Sequence, residues 1–221
     1  MKKNTSAPDA KSETLNMQSV LSMRSSGYYS QRTAGAKHAI DSVLPLMKEA
    51  LGHLPVSDML RFADFGAADG GTSAALWTEI IAHLRQSGDG RAIEILYTDL
   101  PSNDFSTLFK TMQGMHGDPS VAYQARYENV FVHGCGTGFH RQLMANSSLA
   151  LGFSATAMHY VSEKPCEIEE HVHMVGANPD ERAQFARRAA EDWEKILLAR
   201  AAEMQEGARF IVLNFGIDEK G

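Results

Sequence analysis

The segment 62–73 reads FADFGAADGGTS and the segment 97–105 reads YTDLPSNDF. Each runs from apolar residues into an acidic one and then into turn formers, the pattern of a strand that ends in a loop facing a ligand. In the first, Asp64 closes the strand, Gly66 and the Gly70–Gly71 pair allow the backbone to turn tightly, and Thr72 opens a helix. Backbone N–H groups at a helix start make such a loop a cradle for a small ligand. Gly66 is followed by Ala67, Ala68 and Asp69, so the spacing is not the G-x-G-x-x-G of a pyrophosphate loop. Two carboxylates, Asp64 and Asp69, would also repel phosphates. They attract a sulfonium or an ammonium. Asp99, at the end of the second apolar run, is placed to accept hydrogen bonds from ribose hydroxyls. Together these preferences describe S-adenosylmethionine, the expected cofactor. A Gly-rich loop alone is common, and an Asp after a strand also serves as a cap or turn former, so it is the pair at successive strand ends that carries the reading.

Such loops need strands and helices to hold them. In 35–51, GAKHAIDSVLPLMKEAL, the apolar residues Ile40, Val43, Leu44, Met47 and Leu51 recur at helical spacing; 59–65, MLRFADF, is a short strand. In 72–84, TSAALWTEIIAHL, a helix capped by Thr72 or Ser73 turns Leu76, Ile80, Ile81 and Leu84 to one side, and 92–99, AIEILYTD, is a second buried strand. The alternation continues with a helix over 104–112 and strands over 129–135 and 148–155. A long amphipathic helix runs from about Pro179 to Gln205 and stops through Gly207 before a fifth strand, 208–216. Trp77 and Trp193 lie within helical patterns and are assigned to the core. Strands alternating with helices predict an α/β fold, an open and mostly parallel sheet with helices on both faces and its ligand beyond the carboxyl ends of the strands. Residues 1–20 are polar and read as a flexible arm, leaving 21–221 as the domain.

The chain has 221 residues, 43% hydrophobic and 22% charged, enough apolar mass for one globular core. Its net charge of −6, with no run of Lys and Arg, argues against nucleic acid as a partner. Two cysteines, Cys135 and Cys166, build no disulfide framework, and the N-terminal segment has no apolar stretch of a signal peptide, so a reduced, cytoplasmic protein is expected. The most apolar window, SSLALGFSATAMHYV, is interrupted by polar residues and shorter than the roughly 20 residues a membrane span needs. A zinc site from His171, His173 and one thiolate is the rival chemistry. Those histidines, two apart, share a side only on a strand, and no C-x-x-C accompanies them, so no metal is expected.

Five segments in order give the chain its resemblance to the SABATH family of S-adenosylmethionine-dependent carboxyl methyltransferases. LSMRSSGYYSQRT resembles that family's N-terminal segment, ADFGAADGGTS its first cofactor loop, and YTDLPSNDFSTLF its most distinctive motif. FVHGCGTGFHRQLMANSSLAL and SATAMHYVSEKP resemble the adenine-side stretch and the start of the substrate-lining helix. The resemblance implies a Rossmann-like class I methyltransferase fold. It implies that Tyr29 and Thr33 close over the cofactor, Asp64 sits near its methionine end, Asp99 and Leu100 hold the ribose, and Phe139 flanks the adenine. The chain departs from the family pattern at Gly138, where the family has Ser, at Thr72, where it has Asn, and at Ala36, where it has a carboxylate-binding Gln. His159 and Tyr160 fall where the family has His or Met followed by Trp, and the Tyr160 hydroxyl can donate in place of an indole N–H.

Methyl transfer to a carboxylate needs no general base, because the nucleophile is already ionised at neutral pH. Donors that orient an acid are expected instead: Tyr160 first, with His159 and Arg24 behind it. Each has a plainer role available, Tyr160 as a core aromatic, His159 as a packed histidine and Arg24 as a solvated cation. Methylation of an aromatic nitrogen or oxygen, which the Ala36 departure permits, and a non-catalytic cofactor-binding module are the alternatives. The family continues past the fifth strand with two more strands and a helical cap over the substrate. This chain is therefore expected to bind S-adenosylhomocysteine, to transfer methyl slowly or not at all, and to self-associate as a dimer through the open edge at Arg209–Phe215.

Overall fold

The computed structural model describes residues 34–216, in which five strands form one parallel sheet flanked by six α-helices. Tyr29, Thr33 and Arg24, and the arm at 1–20, lie outside the described residues. In chain order the helices are α1 (Ala34–Ser42), α2 (Leu44–Leu51), α3 (Ala74–Gln86), α4 (Phe105–Met112), α5 (Tyr123–Arg126) and α6 (Pro179–Glu203). The strands are β1 (Met59–Phe65), β2 (Ala92–Asp99), β3 (Val130–Gly136), β4 (Leu149–Ala155) and β5 (Met204–Leu213), in spatial order β3-β2-β1-β4-β5. All four pairings are parallel. The order reverses at β1, and the crevice beyond the carboxyl ends of β1 and β4 is where such a sheet binds ligands.

β1 sits mid-sheet, with both sides covered. Leu60, Phe62, Ile93, Ile95 and Tyr97 point to the layer built by α1–α5, where Met47, Trp77, Ile80 and Leu108 complete the main core. Ala63 and Phe65 point to the other side, against α6 and the loop 137–148, in a smaller cluster with Phe139, Leu149, Met158 and Ile196.

The structure departs from the periodicity in four places. The single helix expected over 35–51 is two, because Pro45, in the first turn of α2, has no N–H to continue the α1 ladder. Gly207 does not end a helix: α6 stops at Glu203, and Gly207 takes φ +82° inside β5, beside the register shift that opposes Leu149 and Leu151 to Met204 and Arg209. Trp193 is 37% exposed, so it is no core residue. The buried face of α6 is not a conventional apolar stripe either: only Ile196 is apolar among Glu181, Asp192, Ile196, Arg200 and Glu203. Those charges are used, as described below.

Candidate functional site

A cavity of about 340 Å³ opens at the carboxyl ends of the strands. Asp64, Gly66, Ala67, Ala68 and Thr72 from the first loop form its floor, with Asp99 and Leu100 from the end of β2. Gly138, Phe139 and His140 from the β3–β4 loop close one side; Phe153, Thr156, Ala157, Tyr160 and Ser162 from β4 and the segment after it close another, and Ala36 and Ile40 of α1 the rest.

The first loop is held by the strand beside it. Gly66 and Ala67 both donate their N–H to the Thr98 carbonyl, at 2.8 and 3.1 Å. Asp99 accepts the Ala68 N–H on Oδ2 and the Leu100 N–H on Oδ1, each at 2.7 Å, and the Asn103 side-chain amide donates to the Ala68 carbonyl at 2.7 Å. Ala68 is thereby fixed at φ +49°, a region a Cβ-bearing residue rarely enters and one that persists where surrounding bonds enforce it. Gly66 has φ +76°, and a Cβ there would stand 2.3 Å from the Ala157 Cβ. No other residue lets the β1 loop pass so close to the chain leaving β4.

Asp64 is 3% exposed, yet it lines the cavity. Its Oδ2 accepts the Ser73 hydroxyl at 2.6 Å and the Trp77 indole N–H at 2.8 Å; among the described residues no group donates to Oδ1. Burial pushes its carboxyl up to about 6, against the opposing pull of the Ser73 and Trp77 donors, and the nearby Asp99 charge adds to the rise. Asp99 is also raised by burial, with the Leu100 and Ala68 N–H groups working the other way. Two partly desolvated carboxylates around one cavity recover their solvation from a cationic or hydroxyl-bearing ligand.

Of the residues expected from sequence, the cavity gathers Asp64, Gly66, Thr72, Asp99, Leu100, Gly138, Phe139 and Tyr160. Asp69 and His159 stand off its wall. Asp69 is buried within the loop, where its Oδ1 accepts the Gly71 N–H at 3.1 Å. His159 packs on Tyr160 with tilted rings, centroids 4.4 Å apart, and meets Phe215 edge-on at 5.1 Å; burial lowers its imidazole below the ordinary value. His140 is in the wall instead, its Nε2 3.2 Å from the Tyr160 carbonyl. The reading of Trp77 as core is half the story: it stacks on Phe62 at 5.7 Å and also orients Asp64. A buried indole N–H needs an acceptor, which was the signal available in the sequence. Asn103 and Ser73 were missed because their partners lie 35 and 9 residues away. His171 and His173 have ring centroids 6.1 Å apart, and no three potential ligands converge on a metal position among the described residues.

Residues 17–221 match the family described as S-adenosylmethionine-dependent carboxyl methyltransferase. The chain belongs to this methyltransferase family. It is 29% identical over 192 residues to Methyltransferase FUS9 of Gibberella moniliformis (strain M3125 / FGSC 7600), covering 86% of this chain and 50% of that protein. It is 25% identical over 228 residues to indole-3-acetate O-methyltransferase 1 of Arabidopsis thaliana, covering 91% of this chain and 59% of that one. The chain thus spans about half the length of the curated relatives it matches. Among solved structures, loganic acid methyltransferase with S-adenosylhomocysteine superposes with a TM-score of 0.70 at 19% identity, over 90% of this chain and 60% of that one, which shows a shared fold. In this chain the cavity combines a carboxylate oxygen to which no described residue donates, a second carboxylate at the next strand end, and a glycine where no Cβ fits.

Proposed function

We propose that the cavity binds S-adenosylmethionine and that the chain forms the cofactor half of an enzyme methylating the carboxylate of a small organic acid. The observation that carries this is the pairing of buried Asp64 and Asp99 across the switch point of the sheet, on a floor with no room for a side chain at Gly66. When bound, the cofactor supplies an electrophilic methyl on a sulfonium. Asp64 faces its ammonium end, Asp99 accepts from the ribose hydroxyls through lone pairs that the Ala68 and Leu100 N–H groups leave over, and Phe139 packs against the base. An acid held by the Tyr160 hydroxyl presents an oxygen already ionised at neutral pH. Alignment, worth on the order of 7–11 kcal/mol for well-oriented partners, is then the main task of the site. Indole-3-acetate O-methyltransferase 1 and loganic acid methyltransferase are each named for a carboxylic acid, which supports the same acceptor class here.

Ala36 in the wall favours a second reading, methylation of an aromatic nitrogen or oxygen, because a methyl group there offers no donor to a carboxylate. Incubation with radiolabelled cofactor and a panel of aromatic acids and aromatic amines separates them. Label in base-labile methyl ester supports the first, and label confined to base-stable product supports the second. A cytoplasmic location and a homodimer belong to the same proposal. Both thiols are free, and no described helix is long and apolar enough to cross a membrane. Among the described residues β5 is the last strand at one side of the sheet, and Trp193, Leu197 and Leu198 are exposed on α6. Sedimentation at a protomer's mass would remove the dimer.

A further inference from the structure

The charged face of α6 reaches the cavity wall. Arg200 is 1% exposed and Glu203 is fully buried, an arrangement that costs stability unless every donor and acceptor is used. Here they are used on one loop. Arg200 donates from Nε and Nη2 to the two Glu203 oxygens, at 2.7 and 2.8 Å, and from Nη1 and Nη2 to the carbonyls of Phe139 and Arg141, both at 2.8 Å. Its guanidinium lies 4.3 Å from the centre of the Phe65 ring. Glu203 Oε1 in turn accepts the N–H groups of Leu143 and of Met144, the latter at 3.1 Å. The loop 137–148 between β3 and β4 has no helix of its own, so this ion pair supplies the fixed points a helix would otherwise give. The first of those points is the carbonyl of Phe139, whose ring forms the cavity wall beside Gly66.

We infer that the buried Arg200–Glu203 pair is the positioning device of the cofactor wall: it sets the Phe139 ring at the depth at which the base of S-adenosylmethionine packs on it. The inference rests on the cofactor reading above. A neutral or apolar pair of the same volume could pack as stably; only a fork of parallel N–H donors satisfies two carbonyls and a carboxylate at once.

The test is a double-mutant cycle read by calorimetric titration with S-adenosylhomocysteine. Arg200→Lys keeps a charge for Glu203 but not the fork. It should weaken binding about tenfold in the wild-type background and less than twofold in a Phe139→Ala background, since a residue acting through Phe139 has nothing to act on there. Leu84→Ala, which opens a cavity under α3 far from the site, controls for lost stability and should lower the thermal midpoint while leaving affinity within twofold. Equal losses in both backgrounds, no loss from Arg200→Lys, or a matching loss from Leu84→Ala would overturn the inference. If Arg200→Lys does not fold by circular dichroism, Glu203→Gln carries the same cycle, with a threefold loss expected in place of the tenfold one. A wild-type chain that does not bind S-adenosylhomocysteine overturns the cofactor reading instead.

Discussion

Asp64 ties the stability of the fold to pH through one proton. Its carboxyl, raised to about 6 from the ordinary 3.8, is costly to ionise in the empty protein. Because the folded value lies above the unfolded one, the stability this group contributes is fully present below about pH 3.8 and is lost as pH rises through about 6. A cationic ligand reverses the preference, since it favours the ionised form. Affinity for S-adenosylhomocysteine should therefore rise between pH 5 and 7, with proton release at the lower end, as titrations in buffers of different ionisation enthalpy will show. Trp77→Phe keeps the ring and removes the indole donor that lowers this carboxyl, so the midpoint of the affinity profile should move to higher pH. Asp64→Asn should raise the thermal midpoint of the empty protein at pH 7 and weaken ligand binding at least tenfold. A variant that lost both would show that Asp64 is structural. The position of Asp64 and Asp99 at strand ends, facing one cavity, was legible in the sequence. The Ser73, Trp77 and Asn103 bonds that aim them were not, because each depends on how chain segments meet in space.

The β1 loop depends on close approach. Gly66→Ala places a methyl where the Ala157 Cβ already is and forces a Cβ-bearing residue to φ +76°. The combined cost is about 2–4 kcal/mol, to be read from urea unfolding, and ligand binding should fall below detection. All five strands were legible because apolar runs bounded by turn formers have few other readings. Helix boundaries were less so. Periodicity carried α1 into α2 because Ile40, Val43, Leu44 and Met47 keep helical spacing across a proline that periodicity does not weigh. In α6 the pattern pointed the wrong way: Trp193 and Leu198 face solvent while Asp192, Arg200 and Glu203 are buried. Asp192 accepts the backbone N–H and the hydroxyl of Ser162, at 2.7 and 2.9 Å, at the other rim of the cavity. A burial rule based on hydrophobicity has no way to anticipate a helix whose inward face is there to hold loops.

For the molecule as a whole, the order β3-β2-β1-β4-β5 makes the site a product of topology, since it brings the loops after β1, β2 and β4 to one crevice. A ligand seated there ties those loops together and should stabilise the fold by mass action, by about 2.7 kcal/mol at a hundredfold excess over Kd. That corresponds to a rise of roughly 5–10 °C in thermal midpoint for a chain of this size. The most direct measurement of the central claim is calorimetric titration of the purified chain at pH 7.5 with S-adenosylhomocysteine and, separately, with NAD. Saturable one-to-one binding of S-adenosylhomocysteine is expected, weakened about tenfold in Asp99→Ala as ribose hydroxyls lose their acceptor, with no saturable heat from NAD. No binding of S-adenosylhomocysteine, or equal affinity for the two ligands, would contradict it.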